Sequence, residues 1–351
     1  MEIIMDNTII RFNNDYNHLA HESVLNALND ISSESYAGYG TDEWCGAAAA
    51  LIKDLAGAPD ADVWFFPGAT QANFVVISAA LDPVQSVISA TTGHINAHEA
   101  ASVENTGHKI LELPETDGKI SAAQIEACAA AYYDDNEAEY LTEPKLVYIS
   151  FPTEKGTLYS LHELEEISSV CHKYDMYLFV DGARMGYGLG APGNDVTLRD
   201  FARLADIFYI GGTKCGAMFG EAVVLNAAPL RKRFKAYMKQ NGAVLAKGWI
   251  LGLQFHALLK NGDYFAITKR ADELALKIRD AFRKKGIPFS VESCTNQQFV
   301  ILNDEQIRAL SGSYTFEPSG RTAGGTIVRF CTSWATTEEE AARLIRDIEA
   351  L

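Results

Sequence analysis

Lys214 stands in the segment Gly211-Gly212-Thr213-Lys214-Cys215-Gly216, directly after the apolar run DIFYI. Lysine is rarely fully buried. An amine partly withdrawn from water has a depressed pKa and becomes a nucleophile toward carbonyl carbon; the same residue also reads as a lysine snorkelling to solvent. A second strand end, after MYLFV, carries Asp181-Gly182-Ala183-Arg184. A carboxylate at the tip of a buried strand is costly unless a cation or several donors meet it. Arg184 and nearby backbone N–H groups are the local choices. A third, after ADVWFFP, passes through Gly68-Ala69-Thr70-Gln71 into an apolar helix. Small residues feeding a helix N-terminus present free N–H groups and the positive end of the dipole to an anion. The alternative is an ordinary strand-to-helix turn capped by Thr70.

Together the three ends are more specific than any one of them. An anion nest, a carboxylate and a lysine able to form a Schiff base are what pyridoxal 5'-phosphate requires. The lysine takes the aldehyde, and the carboxylate keeps the pyridine nitrogen protonated so that the ring accepts electrons. A flat side chain over the ring is also needed, and His94, after SVISATTG, is the candidate.

These residues have to be positioned by the elements around them. Seven short apolar runs (61–67, 86–92, 108–114, 145–150, 176–181, 206–212 and 221–226) read as strands, β-branched or aromatic and stopped by Gly, Pro, Asp or Asn. Between them, 70–81, 95–106, 122–133 and 161–174 read as helices. Apolar strands alternating with helices imply a mostly parallel sheet covered on both faces. Such sheets bind ligands at the C-terminal ends of their strands, where Asp181 and Lys214 fall. Beyond residue 230 long helical patterns give way to shorter strands, FSVES, QQFVILN and TIVRFCTSW, and a last helix from Thr337. The expected architecture is an N-terminal arm (1–17), a large α/β domain (18–239) and a small α+β domain (240–351).

Composition excludes other classes. Thirty basic residues against 46 acidic ones give a net charge of −16, with no basic footprint for nucleic acid. RKRFK (231–235) is an isolated basic run that reads as a solvated face. No stretch approaches the roughly 20 apolar residues of a membrane helix, and MEIIMDNTIIRFNND lacks the layout of a secretory signal. The six cysteines contain no C-x-x-C pair, so neither a zinc ribbon nor a disulfide framework is implied. A cytoplasmic enzyme with reduced thiols is expected. Gly186, Gly188 and Gly190 have the wrong spacing for a dinucleotide fingerprint, and the nest is not a nucleotide P-loop. His94 and His98, i and i+4 and followed by Glu99, have the wrong order for a metalloprotease and no third ligand, so no metal is expected.

The motifs PGATQAN, HINAHEA, VDGAR, GGTK and TIVRFCTS resemble, over nearly the whole chain, the threonine aldolase branch of the pyridoxal-phosphate enzymes of aspartate aminotransferase-like fold. That branch is grouped with aromatic β-eliminating lyases. The resemblance implies that Lys214 bears the cofactor, beside Thr213, and that Asp181 pairs with the ring nitrogen. It implies further that Arg184 approaches the phenolic oxygen side, that His94 stacks on the ring, and that Gly68, Ala69 and Thr70 hold the phosphate. Arg329 would receive the substrate carboxylate, with Asn14 standing where the family usually has serine. Tyr39, in AGYGTDE, matches a tyrosine at a site shared between subunits of a homodimer or homotetramer. The chain departs from the family in reading Gly-Ala-Thr for Thr-Gly-Thr in the nest and Phe151-Pro152-Thr153 for Glu-Asn-Thr. Around Ala246-Lys247 an expected arginine is missing.

The activity this implies is retro-aldol cleavage of a β-hydroxy-α-amino acid, threonine or a phenylserine-like relative, to glycine and an aldehyde. His94 and then His98 are the candidate bases. β-Elimination from an aromatic or sulfur amino acid and transamination are the alternatives with the same cofactor. An inactive cofactor-binding paralogue is the non-enzymatic one, although such a relic has no need of a Schiff-base lysine.

Overall fold

The seven apolar runs form one sheet. In the computed structural model, which describes residues 9–351, they are β1 (Asp62–Phe66), β2 (Gln85–Ala90), β3 (Lys109–Leu113), β4 (Glu143–Ser150), β5 (Tyr177–Asp181), β6 (Ile207–Gly211) and β7 (Glu221–Leu225). Residues 1–8 of the expected arm lie outside the described residues. The order across the sheet is β1-β7-β6-β5-β4-β2-β3. β7 pairs antiparallel with both its neighbours, and the remaining pairs are parallel. Alternation along the strands divides two cores. Val147, Ile149, Leu178, Val180, Phe208 and Ile210 pack on one face, and Leu146, Tyr148, Phe179, Ile207 and Tyr209 on the other. One side-chain period of two therefore places helices on both faces.

The helices 69–80, 122–133 and 161–173 occupy nearly the expected spans. The second and third are closed at the start by capping boxes, Ser121 with Gln124 and Ser160 with Glu163. The expected helix over 95–106 is a correction. Only His94–Ala97 is helical, followed by left-handed Ala100 and Ala101 and a 3-10 turn at Glu104–Thr106. The chain leaves the helix there because Glu99 turns inward to partners described below. FSVES makes only a single bridge, Phe289 to Val300. The helix Glu43–Ala56, which the strand-and-helix pattern did not reveal, packs against Trp249–Leu259.

A smaller antiparallel sheet follows, built from β8 (Gln297–Leu302), β9 (Glu317–Thr322) and β10 (Gly325–Cys331) in the order β9-β10-β8. Its core takes Leu274, Ile278 and Phe282 from the helix Asp263–Lys284, and Leu344 and Ile348 from the last helix. Phe12, from the N-terminal segment, is buried in it as well. Leu251, Phe255 and Leu258 instead pack in the core of the large sheet. Among the described residues no helix is long and apolar enough to cross a membrane.

Gly252 marks the tightest approach between the helices Trp249–Leu259 and Glu43–Ala56. A Cβ there would lie 2.5 Å from Cys45 N and 2.7 Å from Trp44 C, backbone atoms that cannot rotate away. Gly252→Ala is expected to cost about 1–3 kcal/mol, the usual range for overpacking. The check is a lower urea midpoint at unchanged m-value; an unmoved midpoint would show that the two helices have room to separate.

Candidate active site

The parallel strands deliver their chemistry to one edge. β5 ends on Asp181, whose residue is 5% exposed. Its Oδ1 accepts from Ala183 N at 2.9 Å, while Oδ2 accepts from Asn73 Nδ2 at 3.0 Å and from the Tyr148 hydroxyl. Burial alone would raise its pKa. The neighbouring His94 and the hydrogen bonds from Tyr148 and Ala183 outweigh that and hold it below the usual carboxylate range. Asp181 is therefore an anion fixed at both oxygens.

Lys214 follows β6 by three residues and shares a narrow cleft with Ala69, His94, Glu154, Asp181 and Arg184. Burial, and then repulsion by Arg184, keep its amine below the ordinary lysine pKa; Asp15, Asp181 and Glu221 pull the other way. The turn that carries it is pinned from behind. Glu221 accepts from Gly212 N at 3.0 Å and from the Thr213 hydroxyl at 2.8 Å, and that hydroxyl accepts from Gly220 N at 2.9 Å. The Thr213 side chain is thus committed to the turn. Burial pushes the Glu221 carboxyl up to about 8, against the opposing Thr213 hydrogen bond and Lys214 charge.

Arg184 is held by Asp15 through two parallel bonds, Nε to Oδ2 at 2.7 Å and Nη2 to Oδ1 at 3.0 Å. Asn296 Nδ2 adds a third bond to Asp15, at 3.0 Å. Burial works against the Asp15 carboxylate, but the charges of Arg184 and Lys214 and these bonds carry its pKa below the usual value. The bidentate geometry is what a guanidinium gives and an ammonium cannot.

His94 begins its short helix after β2 with Nδ1 at 2.7 Å from Glu99 Oε1. Glu99 also receives Asn73 Nδ2 at 2.8 Å and Ser102 Oγ at 2.7 Å. The same Asn73 amide thereby bridges Glu99 and Asp181. Glu154 accepts from Ser150 Oγ at 2.6 Å and from His94 N at 2.9 Å. His98, the residue that ends the short helix, is exposed; its ring lies 5.6 Å from that of His94. Partial burial first, and then its neighbours His94, Arg329 and Lys214, lower its pKa.

The remaining expected residues are distributed unevenly. Gly68, not Thr70, is the cap residue of helix Ala69–Ala80; no side chain caps that N-terminus, and its first turn holds no acidic residue. Arg329 lies on β10, with Nη2 bonded to Asn13 O at 2.9 Å and Nη1 to Gln297 Oε1 at 3.2 Å, while its buried Nε has no partner among the described residues. Asn14 accepts from Tyr16 N in a local turn. Tyr39, left-handed at φ 61° and 51% exposed, lies under Lys239 and lines a separate groove with Asp42, Trp64 and Leu251. It is not brought to Lys214 of its own chain. Sequence reasoning gave no site role to Asn73, Tyr148, Glu154 or Asp15, and weighed Glu99 only in rejecting a metal site with His94 and His98. The one available signal was polar residues in otherwise apolar segments at strand ends, as in PTEK after β4. No group of three His, Cys, Asp or Glu side chains among the described residues could hold a metal ion.

The profile of the β-eliminating lyase family matches residues 25–305. The chain belongs to this family. It is similar to the threonine aldolase of Leishmania major, whose solved structure superposes with a TM-score of 0.94 at 41% identity, covering 97% of this chain and 99% of that one. It is also 29% identical over 322 residues to the low specificity L-threonine aldolase of Pseudomonas aeruginosa, 88% of each chain. An aspartate aminotransferase of Thermus thermophilus, at 15% identity and a TM-score of 0.73, shares the fold. The mostly parallel large sheet and small C-terminal sheet are those of the expected aspartate aminotransferase-like fold.

The Asp15–Arg184 pair sets a pH dependence. Asp15 has a folded pKa below its unfolded one, so its contribution is complete above the ordinary carboxylate value and is lost as pH falls through the lower, folded value. Asp15→Asn leaves a buried, unpaired guanidinium and is expected to cost about 3–5 kcal/mol near neutral pH. Urea midpoints of both proteins should keep a constant gap from neutral pH down to about 5 and converge in stronger acid. A gap that does not narrow in acid would place the loss elsewhere than in this ion pair.

Proposed function

We propose that this chain is a pyridoxal 5'-phosphate-dependent carbon–carbon lyase that cleaves a β-hydroxy-α-amino acid, threonine or a phenylserine-like relative, to glycine and an aldehyde. The observation that carries the reading is the placement of a low-pKa lysine and a fully engaged aspartate on one narrow cleft. The likeness to threonine aldolases supports the choice of reaction.

The residues present fit the cofactor. The uncapped N-terminus of helix Ala69–Ala80 offers N–H groups and a positive dipole end to its phosphate at Gly68, Ala69 and Thr70. Lys214 supplies the amine for its aldehyde. Asp181, kept anionic, would hold a proton on the pyridine nitrogen. Arg184, oriented by Asp15, lines the cleft beside Lys214. When bound, the pyridoxal ring serves as the sink for the electron pair left at Cα. Glu99 at Nδ1 orients the His94 ring and leaves Nε2 as its open position, so the ring can face the cofactor as a flat surface. Arg329, with an unpartnered Nε, is the guanidinium for the substrate carboxylate. The proton of the β-hydroxyl needs an acceptor on the cleft wall, for which His94 and His98 are the imidazole candidates. Tyr39, turned away from its own cleft, would serve the site of a second copy.

Protein loaded with pyridoxal phosphate should release glycine and acetaldehyde from L-threonine; pyruvate and ammonia, or an exchange of amino groups, would replace this reading with elimination or transamination. Borohydride reduction followed by peptide mapping should tag the Lys214 peptide, and a tag on another lysine would remove Lys214 from its role.

Asp181→Asn keeps the shape and loses the charge. One charge-assisted hydrogen bond is worth about 1.5–3 kcal/mol, so activity should drop roughly 10- to 150-fold while the cofactor still binds. Wild-type turnover in this variant would make Asp181 structural.

A further inference from the structure

Five carboxyl groups lie in or directly behind the cleft, and their hydrogen bonds differ. Asp181 has Oδ1 on Ala183 N and Oδ2 on Asn73 and Tyr148. Glu99 has Oε1 on Asn73 and His94 and Oε2 on Ser102. Asp15 has both oxygens on Arg184, and Glu221 has one on Gly212 N and the other on Thr213. In each of these four both oxygens already accept a hydrogen bond from the protein. Glu154 is different. Its Oε1 takes both donors, Ser150 Oγ at 2.6 Å and His94 N at 2.9 Å, and Oε2 takes none from the described residues.

That arrangement orients the carboxyl without occupying it. Glu154 lines the same cleft as Lys214, His94 and Ala69, so the free oxygen belongs to a group at the reacting edge. Its neighbour Lys155 does not neutralise it, because Lys155 Nζ is paired with Glu115 at 2.5 Å. The groups around it are His94 after β2, Asp181 at the end of β5, Tyr148 within β4, Tyr159 beyond the turn, and Lys214 and Arg184 across the cleft. Burial leads, with repulsion from Asp181 behind it, in raising the Glu154 pKa, against the hydrogen bonds from Ser150 and from its own backbone N–H and against the neighbouring His94. A carboxyl held above its ordinary range is a better proton acceptor than an unperturbed one.

We infer that Glu154 Oε2, and not a histidine nitrogen, is the atom that receives the proton of the substrate β-hydroxyl. The inference rests on the lyase reading above. The O–H bond breaks and a new O–H bond forms on Glu154. The electron pair of the old O–H bond becomes the second bond of the aldehyde C=O, and the Cα–Cβ pair stays with Cα. One proton added at Cα and the release of the Glu154 proton leave the sum unchanged: β-hydroxy amino acid to glycine plus aldehyde. His94 keeps its place as the flat surface, with its backbone N–H holding Glu154 in position.

Glu154→Gln tests this, because the amide oxygen can still accept from Ser150 and His94 while the side chain can no longer take up a proton. Loaded with pyridoxal phosphate, the variant should show the wild-type visible absorption band and urea midpoint. Its kcat/KM for L-threonine should fall by about 10²–10⁴-fold, the usual worth of a general base. Below its pKa Glu154 is protonated and cannot accept, so the wild-type kcat/KM should decline as pH drops through that value, and the variant should lack this acidic limb. A second readout needs no turnover. An infrared difference spectrum between cofactor-free wild type and Glu154→Gln should contain a protonated-carboxyl band that bleaches at a pH above the ordinary glutamate value.

A variant with wild-type rate and an unchanged acidic limb overturns the assignment, and loss of the visible band moves Glu154 into the cofactor-holding set. Wild-type protein that yields no glycine overturns the lyase reading itself, and with it this inference. Wild type that yields glycine alongside an equally active variant overturns only the role of Glu154.

Discussion

Burying a carboxylate at the tip of a parallel strand removes hydration that must be rebuilt from protein donors, at a cost of several kcal/mol if it is not. Asp181 rebuilds it from three elements at once: the helix after β1 through Asn73, the neighbouring strand β4 through Tyr148, and its own turn through Ala183 N. The dependence then spreads. Asn73 gives its two amide hydrogens to Asp181 and to Glu99, so the same side chain that solvates the first anion positions the second. Glu99 in turn orients His94, and His94 fixes Glu154 through its backbone. A local account of any of these residues is incomplete, because each one's geometry is the boundary condition of the next.

Backbone proximity makes this density of charge possible. The turns after β5 and β6 nest against each other, with Gly211 N bonded to Gly182 O at 2.9 Å. A Cβ at Gly182 would stand 1.8 Å from Tyr209 O, and one at Gly211 would stand 2.3 Å from Ala183 O. Asp181 and Lys214 share a cleft because both positions lack a side chain. The alternation of cations and anions across it, Asp15 with Arg184 and Lys214 with Asp181, keeps like charges from meeting unrelieved.

The large sheet was legible because its signal is local: apolar runs of strand length, bounded by turn residues, feeding helices with capping boxes. The strand-end rule then placed Lys214, Asp181 and the turn at Gly68 on one edge without any tertiary information. The segment after His94 was misread for the opposite reason. Its composition is helical, yet the helix stops because Glu99 gains more from Asn73, His94 and Ser102 than from another turn, a gain that exists only once β1, β2 and β5 are assembled. Asn73, Tyr148 and Asp15 were invisible likewise, since an isolated polar residue in a helix, strand or arm acquires its meaning from a partner far along the chain. Glu154 carried a faint signal as an acid four residues past a strand end, but which of its oxygens is free is a property of three dimensions.

The N-terminal segment shows how far that reach extends. Phe12 is buried in the core of the small sheet, and its carbonyl accepts from Cys331 N at 2.7 Å. One residue on, Asn13 O accepts from Arg329; two further on, Asp15 holds both Arg184 and Asn296. Three residues within the stretch 12–15 therefore touch the strand carrying Arg329, the start of the small sheet and the turn leading from Asp181. A displacement of the small sheet relative to the large one would have to stretch the Asp15–Arg184 pair or tear Phe12 from its core. Arg329 is thus referenced to Lys214 through this short stretch of chain, and the distance between the guanidinium and the amine is set by hydrogen bonds that neither of them makes to the other.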